Sequence, residues 1–256
     1  TPAEEEETPA QDETDAQAAE ADAAAAIVVG DQSYTTLADA FAAVPDTTDL
    51  TGTPTYVKVK GEIELNATVD VPATKNIMLV AAEDTTIKRA AGFTGSMFTV
   101  NGGNLQMAGG SVTDSDGTAI GSGSLTVDGS GDGVTGSIVE VVSGNYGLTD
   151  DAVLTGNKTT GNAGAISNTA DGNVYLLGGT ITGNSATTGG AIYSEGAVSI
   201  RGTVSVTGNT VINSTPETAS NVVLDKNGII NVNGAVTGST IGLAVQEAAA
   251  GRTVVK

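Results

Sequence analysis

The chain holds 256 residues with 30 acidic against 10 basic side chains, a formal net charge of −20, and neither histidine nor cysteine. A polyanion of this kind does not neutralise phosphates, which excludes nucleic acid and anionic membrane surfaces as partners. Without cysteine there are no disulfides, thiolate metal sites or cysteine nucleophile, and no apolar run reaches the ~18 residues a membrane-spanning helix needs.

Residues 1–26, TPAEEEETPAQDETDAQAAEADAAAA, carry acids at Glu4 to Glu7, Asp12, Glu13, Asp15, Glu20 and Asp22 and no base. Their Pro, Glu, Ala and Thr content predicts an acidic, self-repelling disordered linker. It looks like no signal peptide, and it suits a mature chain whose signal has been removed, which points outside the cell. Residues 27–55 read as an N-terminal cap. "AIVVGDQSYTTLADAFAAV" predicts a short strand, a turn and a helix capped by Thr35 or Thr36, with Leu37, Phe41 and Val44 on one face and Pro45 as the stop.

From Tyr56 the period changes to two. "YVKVKGEIELNATVDV" alternates, and "NIMLVA", "TTIKR" and "SMFTV" follow as strands. From about Gly102 the chain repeats. One register is Val112-Thr113-Asp114, Val134-Thr135-Gly136, Leu154-Thr155-Gly156, Ile181-Thr182-Gly183, Val206-Thr207-Gly208 and Val236-Thr237-Gly238, at spacings of 22, 20, 27, 25 and 30 residues. A second holds "NLQM" at 104, "SLTV" at 124, "YGLT" at 146, "VYLL" at 174, "VSIR" at 198 and "IINV" at 229. A third holds Thr118-Ala119-Ile120, Ser137-Ile138-Val139, Gly164-Ala165-Ile166, Gly190-Ala191-Ile192 and Asn221-Val222-Val223. Three short strands per period predict an all-β chain whose residues 56–256 form the coils of a parallel β-helix, a β-solenoid. An open stack exposes its interior at both ends, so the helix before the first coil reads as a capping helix. "GLAVQEAAAGRTVVK" offers no such cap, and the natural protein is expected to continue beyond Lys256.

Two coils carry a further signature. "TGNSATTGGAIYS" (Thr182 to Ser194) and "TGNKTTGNAGAISN" (Thr155 to Asn168) resemble the GGAI and FxxN repeats of chlamydial polymorphic outer-membrane proteins. They equally resemble the pectin-lyase-like right-handed β-helix repeats of large surface proteins of Gram-positive bacteria. The GGAI element is Gly189-Gly190-Ala191-Ile192, with Gly164-Ala165-Ile166 as a partial copy. Ile181 and Leu154 stand where phenylalanine is expected, ahead of Asn184 and Asn157. The resemblance implies a right-handed parallel β-helix in a bacterial cell-surface or cell-wall protein, serving as an adhesin-like passenger or a stalk.

Candidate chemistry is weighed against the scaffold. Parallel β-helices also host polysaccharide lyases and hydrolases, so such an enzyme is the alternative. The polygalacturonase-like pattern needs a Gly-His-Gly element; Asp150-Asp151 matches one part, and histidine is absent. A lyase needs a base, and from Asn104 to Arg201 only Lys158 and Arg201 are basic; Lys158 in "TGNKTTGN" reads as a solvated corner. No catalytic residue is therefore assigned. The calcium candidate is "DGSGDG", where Asp128, Ser130 and Asp132 alternate as oxygen ligands do, but Val139 stands where an EF-hand needs glutamate. A polar corner outweighs it, and no cofactor is expected. Asn157, Asn184 and Asn209 follow Thr-Gly in successive copies and predict a structural ladder. Tyr175, Tyr193 and Glu195 are the candidate outward binding contacts. An ice-binding face wants flat Thr-x-Thr ranks, which the unequal coil lengths are expected not to give. Sequons at Asn66, Asn157 and Asn213 are expected by chance in so threonine-rich a chain. The expectation is a non-catalytic, extracellular, monomeric module that binds a host glycan or matrix protein, or packs on other domains of the same surface protein.

Overall fold

The structure, a computed structural model, describes residues 26–149, 151–212, 216, 218–247 and 253–256. The acidic segment predicted over 1–26 therefore lies outside the described residues except for Ala26, which opens strand β1 (Ala26–Val29). β1 turns at Gly30-Asp31 into β2 (Gln32–Tyr34) and lies antiparallel on the first coil, with Ile27 opposite Val59 and Val29 opposite Val57. Helix α1 (Leu37–Ala43) follows. Thr36 is its N-cap: the hydroxyl accepts from the Asp39 amide at 3.1 Å and donates to the Asp39 carboxylate at 2.7 Å. Leu37, Phe41 and Val44 are buried, and the Phe41 ring stands 6.4 Å from that of Phe98 in the second coil. Lys75 fastens the other end of α1, donating to the Ala42 and Val44 carbonyls and pairing with Asp46 at 3.0 Å. The helix thus closes the bottom of a stack whose first strands would otherwise expose their apolar interior.

The rest is a parallel β-helix of three sheets. The first coil is β3 (Thr55–Leu65), which bends at Gly61 to serve sheets A and B, and β4 (Val69–Pro72) in sheet C. The second is β5 (Asn76–Arg89), again bent across A and B, and the start of β6 (Phe98–Ala108), which turns from C into A of the third coil. The register then holds residue for residue. In sheet B the inward column is Ile63, Ile87, Val127, Leu154, Ile181, Val206 and Ile241, one residue per coil for seven coils. Sheet A stacks Ile77, Leu105, Tyr146, Val174, Val198 and Ile230, and sheet C stacks Val69, Phe98, Val139, Ile166, Ile192 and Val222. Alternation along each short strand aims these β-branched and aliphatic side chains inward, where each fully buried one contributes about 1.5–3 kcal/mol.

The third coil departs from the sequence reading. It runs from Leu105 to the equivalent Tyr146, 41 positions later, because two corners are enlarged. Val112-Thr113-Asp114 and Thr118-Ala119-Ile120 belong to no sheet of the helix. They form an antiparallel hairpin, β7 (Val112–Thr113) and β8 (Ala119–Gly121), inserted between sheets A and B. "SLTV" at 124 consequently supplies β9 (Leu125–Asp128) to sheet B rather than A, and Val134-Thr135-Gly136 lies in the loop before β10 (Val139–Leu148). Val236-Thr237-Gly238 likewise precedes the sheet B strand at Thr240–Ile241. A Val-Thr pair bounded by turn residues is common to strands and to excursions between them; only pairing separates the two.

Candidate functional site

The corner between sheets B and C is the most polar part of the interior. In each Thr-Gly-Asn copy the glycine takes positive φ (77° at Gly156, 68° at Gly183 and Gly208), which turns the following asparagine inward. Asn157, Asn184 and Asn209 are each fully buried. The Asn157 amide donates to the Asn184 side-chain oxygen at 3.1 Å, and the Asn184 amide to that of Asn209 at 3.0 Å. Nδ2 of Asn184 reaches down to the Leu154 carbonyl (3.1 Å) and Nδ2 of Asn209 to that of Ile181 (2.9 Å), so every rung ties two coils.

Two residues outside the Thr-Gly-Asn copies close this column. Asn221 accepts from the Asn209 amide at 3.3 Å and from its Nδ2 at 3.0 Å. At the other end Arg89 is buried, donates to the carbonyls of Gly129, Phe93 and Gly95 and to Asn157 Oδ1 at 3.4 Å, and lies 5.0 Å above the Phe93 ring. Desolvation by burial lowers its pKa. The GGAI element belongs to the same corner. A side chain on Gly164 would strike the Gly190 carbonyl at 2.0 Å, so glycine is required where successive coils touch.

The other candidates from sequence fall apart in space. Asp128 accepts from the Ser130 amide (2.9 Å) and hydroxyl (2.6 Å), closing a turn beneath Gly156, while Asp132 stands exposed further along the loop. Among the described residues no group of three or more carboxylate side chains gathers as metal ligands would. Lys158 is exposed at the B–C corner and Asp151 at the A–B corner of the same coil, so they form no acid–base pair; Asp150 lies outside the described residues. Of the sequons, Asn66 is exposed, Asn157 is enclosed in the ladder, and Asn213 lies outside the described residues. Corner insertions leave strands in register, so one threonine column, Thr155, Thr182 and Thr207, forms on sheet B beside Val153, Thr180 and Ser205, and of these three coils only that of Thr180 and Thr182 reads Thr-x-Thr. Asp128 and the Lys88–Glu62 ion pair (2.5 Å) interrupt the column below.

Tyr175, Tyr193 and Glu195 do not converge. Tyr193 lies on the outer face of sheet C, where partial burial raises its pKa first and the carboxylates of Asp225, Glu195 and Glu247 add to the effect. Tyr175 lies on the outer face of sheet A, 36% exposed, and there the surface is concave. Its outward column runs Gln106, Gly147, Tyr175, Ser199, Asn231, with Leu177 and Arg201 following one step along the strands. Three adjoining depressions of about 330, 270 and 520 Å³ all share Leu177 and Arg201, two of them at a time share Gln106, Tyr175 or Asn233, and together they make one groove along the solenoid axis. Gly147 lies in the floor next to Tyr175, with the Gln106 side chain 3.1 Å from where its Cβ would stand. The loop Leu50–Gly52 closes the lower end, held by Asn76 donating to the Gly52 carbonyl at 3.0 Å. Asp49 shapes that loop by accepting from the hydroxyl and amide of Thr51, which holds its carboxyl below the usual range.

The groove lining contains no acid. Its one cation, Arg201, is exposed, and among the described residues nothing is hydrogen-bonded or ion-paired to its guanidinium. Sequence reasoning reached Tyr175 and missed the rest, whose positions are scattered from Leu50 to Ala235. The signal lay in the strand register: once the second-register strands are aligned, Gln106, Gly147, Tyr175 and Ser199 fall in one outward line. Comparison of the chain with protein-family models, curated proteins and solved structures finds no match.

Proposed function

We propose that this chain is a non-catalytic segment of a bacterial cell-surface protein, an adhesin-like module that binds through the outer face of sheet A. The observation that carries this reading is the furnishing of the groove: a tyrosine, a row of amides (Asn104, Gln106, Asn145, Asn233) and one guanidinium. Such groups hold a ligand by stacking and hydrogen bonds, whereas bond cleavage calls for a convergent acid and base. The likeness of Gly189-Gly190-Ala191-Ile192 to the GGAI repeats of surface proteins supports an extracellular setting.

The test is a binding screen of the chain against immobilised glycans and host matrix proteins, run beside a depolymerisation assay on the same polysaccharides with calcium. The expected outcome is retention without chain shortening. Turnover lost in Lys158→Ala would replace this reading with the polysaccharide-degrading enzyme, and silence in both assays would leave a passive stalk.

A further inference from the structure

Resting on that reading, we infer that the groove on sheet A takes a linear anionic glycan, with Arg201 receiving its carboxylate or sulfate group and Tyr175 stacking on a sugar ring. Three observations converge. The first is charge. The chain carries −20, yet the groove lining is free of acid and presents a guanidinium that no described residue neutralises. Acidic side chains elsewhere on the surface repel a polyanion, so the groove is the place where it is accepted, and a planar guanidinium suits a carboxylate or sulfate through paired N–H donors.

The second is shape. The lining draws on successive coils from Gln106 to Asn233, four steps of about 4.8 Å, or about 19 Å, which fits an extended oligosaccharide rather than a single sugar. The third is chemistry. Tyr175 stands between two small residues, Gly147 on the coil below and Ser199 on the coil above, and is 36% exposed, and the amides beside it match hydroxyl groups. An acidic peptide fits less well. The peptide groups of these strands are already paired along the stack, so the groove offers side chains alone and no strand edge for a peptide to extend.

The experiment is isothermal titration of the full chain with uronate, sulfated and neutral oligosaccharides of matched length, repeated with Arg201→Gln and Tyr175→Ala after their melting temperatures are shown to equal the parent's. The inference expects both anionic chains, or one of them, to bind more tightly than the neutral chain, and the affinity to weaken as salt is raised. Arg201→Gln should weaken the anionic chain by about tenfold to a hundredfold and leave neutral binding unchanged. Tyr175→Ala should weaken every sugar that binds. Equal binding of neutral and anionic chains, with Arg201→Gln silent, would overturn the inference while leaving a glycan-binding module. Binding of no oligosaccharide would overturn the inference, and a matrix protein retained in the screen would then preserve the wider reading. Cleavage of any chain would sink both.

Discussion

Asn184→Ala is the substitution that most directly probes what holds the coils in register. In the folded chain the Asn184 oxygen accepts the Asn157 amide at 3.1 Å, and its Nδ2 donates to the Leu154 carbonyl at 3.1 Å and the Thr182 carbonyl at 3.0 Å. Truncation strands the Asn157 N–H in a fully buried corner, a loss of about 1–3 kcal/mol, and each of the two donor bonds adds about 0.5–1.5 kcal/mol. The sum is about 2–6 kcal/mol, large beside the total stability of most domains. Equilibrium unfolding in urea, followed by circular dichroism, reads the shift in midpoint. Thr182→Ala serves as the control: two residues away, it faces outward on sheet B, and it should stay within about 0.5 kcal/mol of the parent. An Asn184→Ala variant as stable as that control would refute the ladder as a source of stability.

Tyr146 is wholly buried, and among the described residues its hydroxyl meets only the Met107 sulfur at 3.3 Å, a weak acceptor. Tyr146→Phe is expected to leave stability unchanged or raise it by up to about 1 kcal/mol, measured by thermal unfolding. Burial raises the pKa of this phenol above its usual 10.0, so the unfolded chain loses that proton first. The associated stability is complete below that value and declines as pH rises past it, and alkaline ultraviolet titration should leave one of the five tyrosines un-ionised until the fold opens. Lys75→Met removes the donor to the Ala42 and Val44 carbonyls and should cost about 1.5–3 kcal/mol, with amide exchange in α1 accelerating before that of the coils. Arg89→Met keeps the apolar stem but leaves the carbonyls of Gly129 and Phe93 without their donor. It should destabilise by more than about 2 kcal/mol, seen as a lowered melting temperature.

Much of the architecture could be read from residue spacing, because a parallel β-helix repeats its chemistry at each corner. Thr-Gly-Asn announced the ladder three times, and Leu37, Phe41 and Val44 announced the face of the cap. The two ends of the ladder were illegible for the converse reason: Arg89 and Asn221 occur once each and satisfy it by geometry rather than by motif. The third coil defeated the spacing argument because a hairpin and a loop entered at corners, where chain can be added without moving a strand. The groove was hidden differently. Each coil contributes lining residues of a different type, and Gly147 contributes by having no side chain, so no local pattern marks the site. Tyr193 and Glu195 looked like partners of Tyr175 in sequence, but the turn at Glu195-Gly196 between sheets C and A puts them on another face.

The binding surface proposed for this chain is the outer face of sheet A, and hydrogen exchange read along the chain tests that proposal most directly. With a saturating anionic oligosaccharide present, amides around Gly147, Tyr175, Leu177 and Arg201 should gain protection while those of sheets B and C keep their rates. Protection gained instead around Tyr193 and Glu195, or along the Thr155, Thr182 and Thr207 column of sheet B, would contradict it.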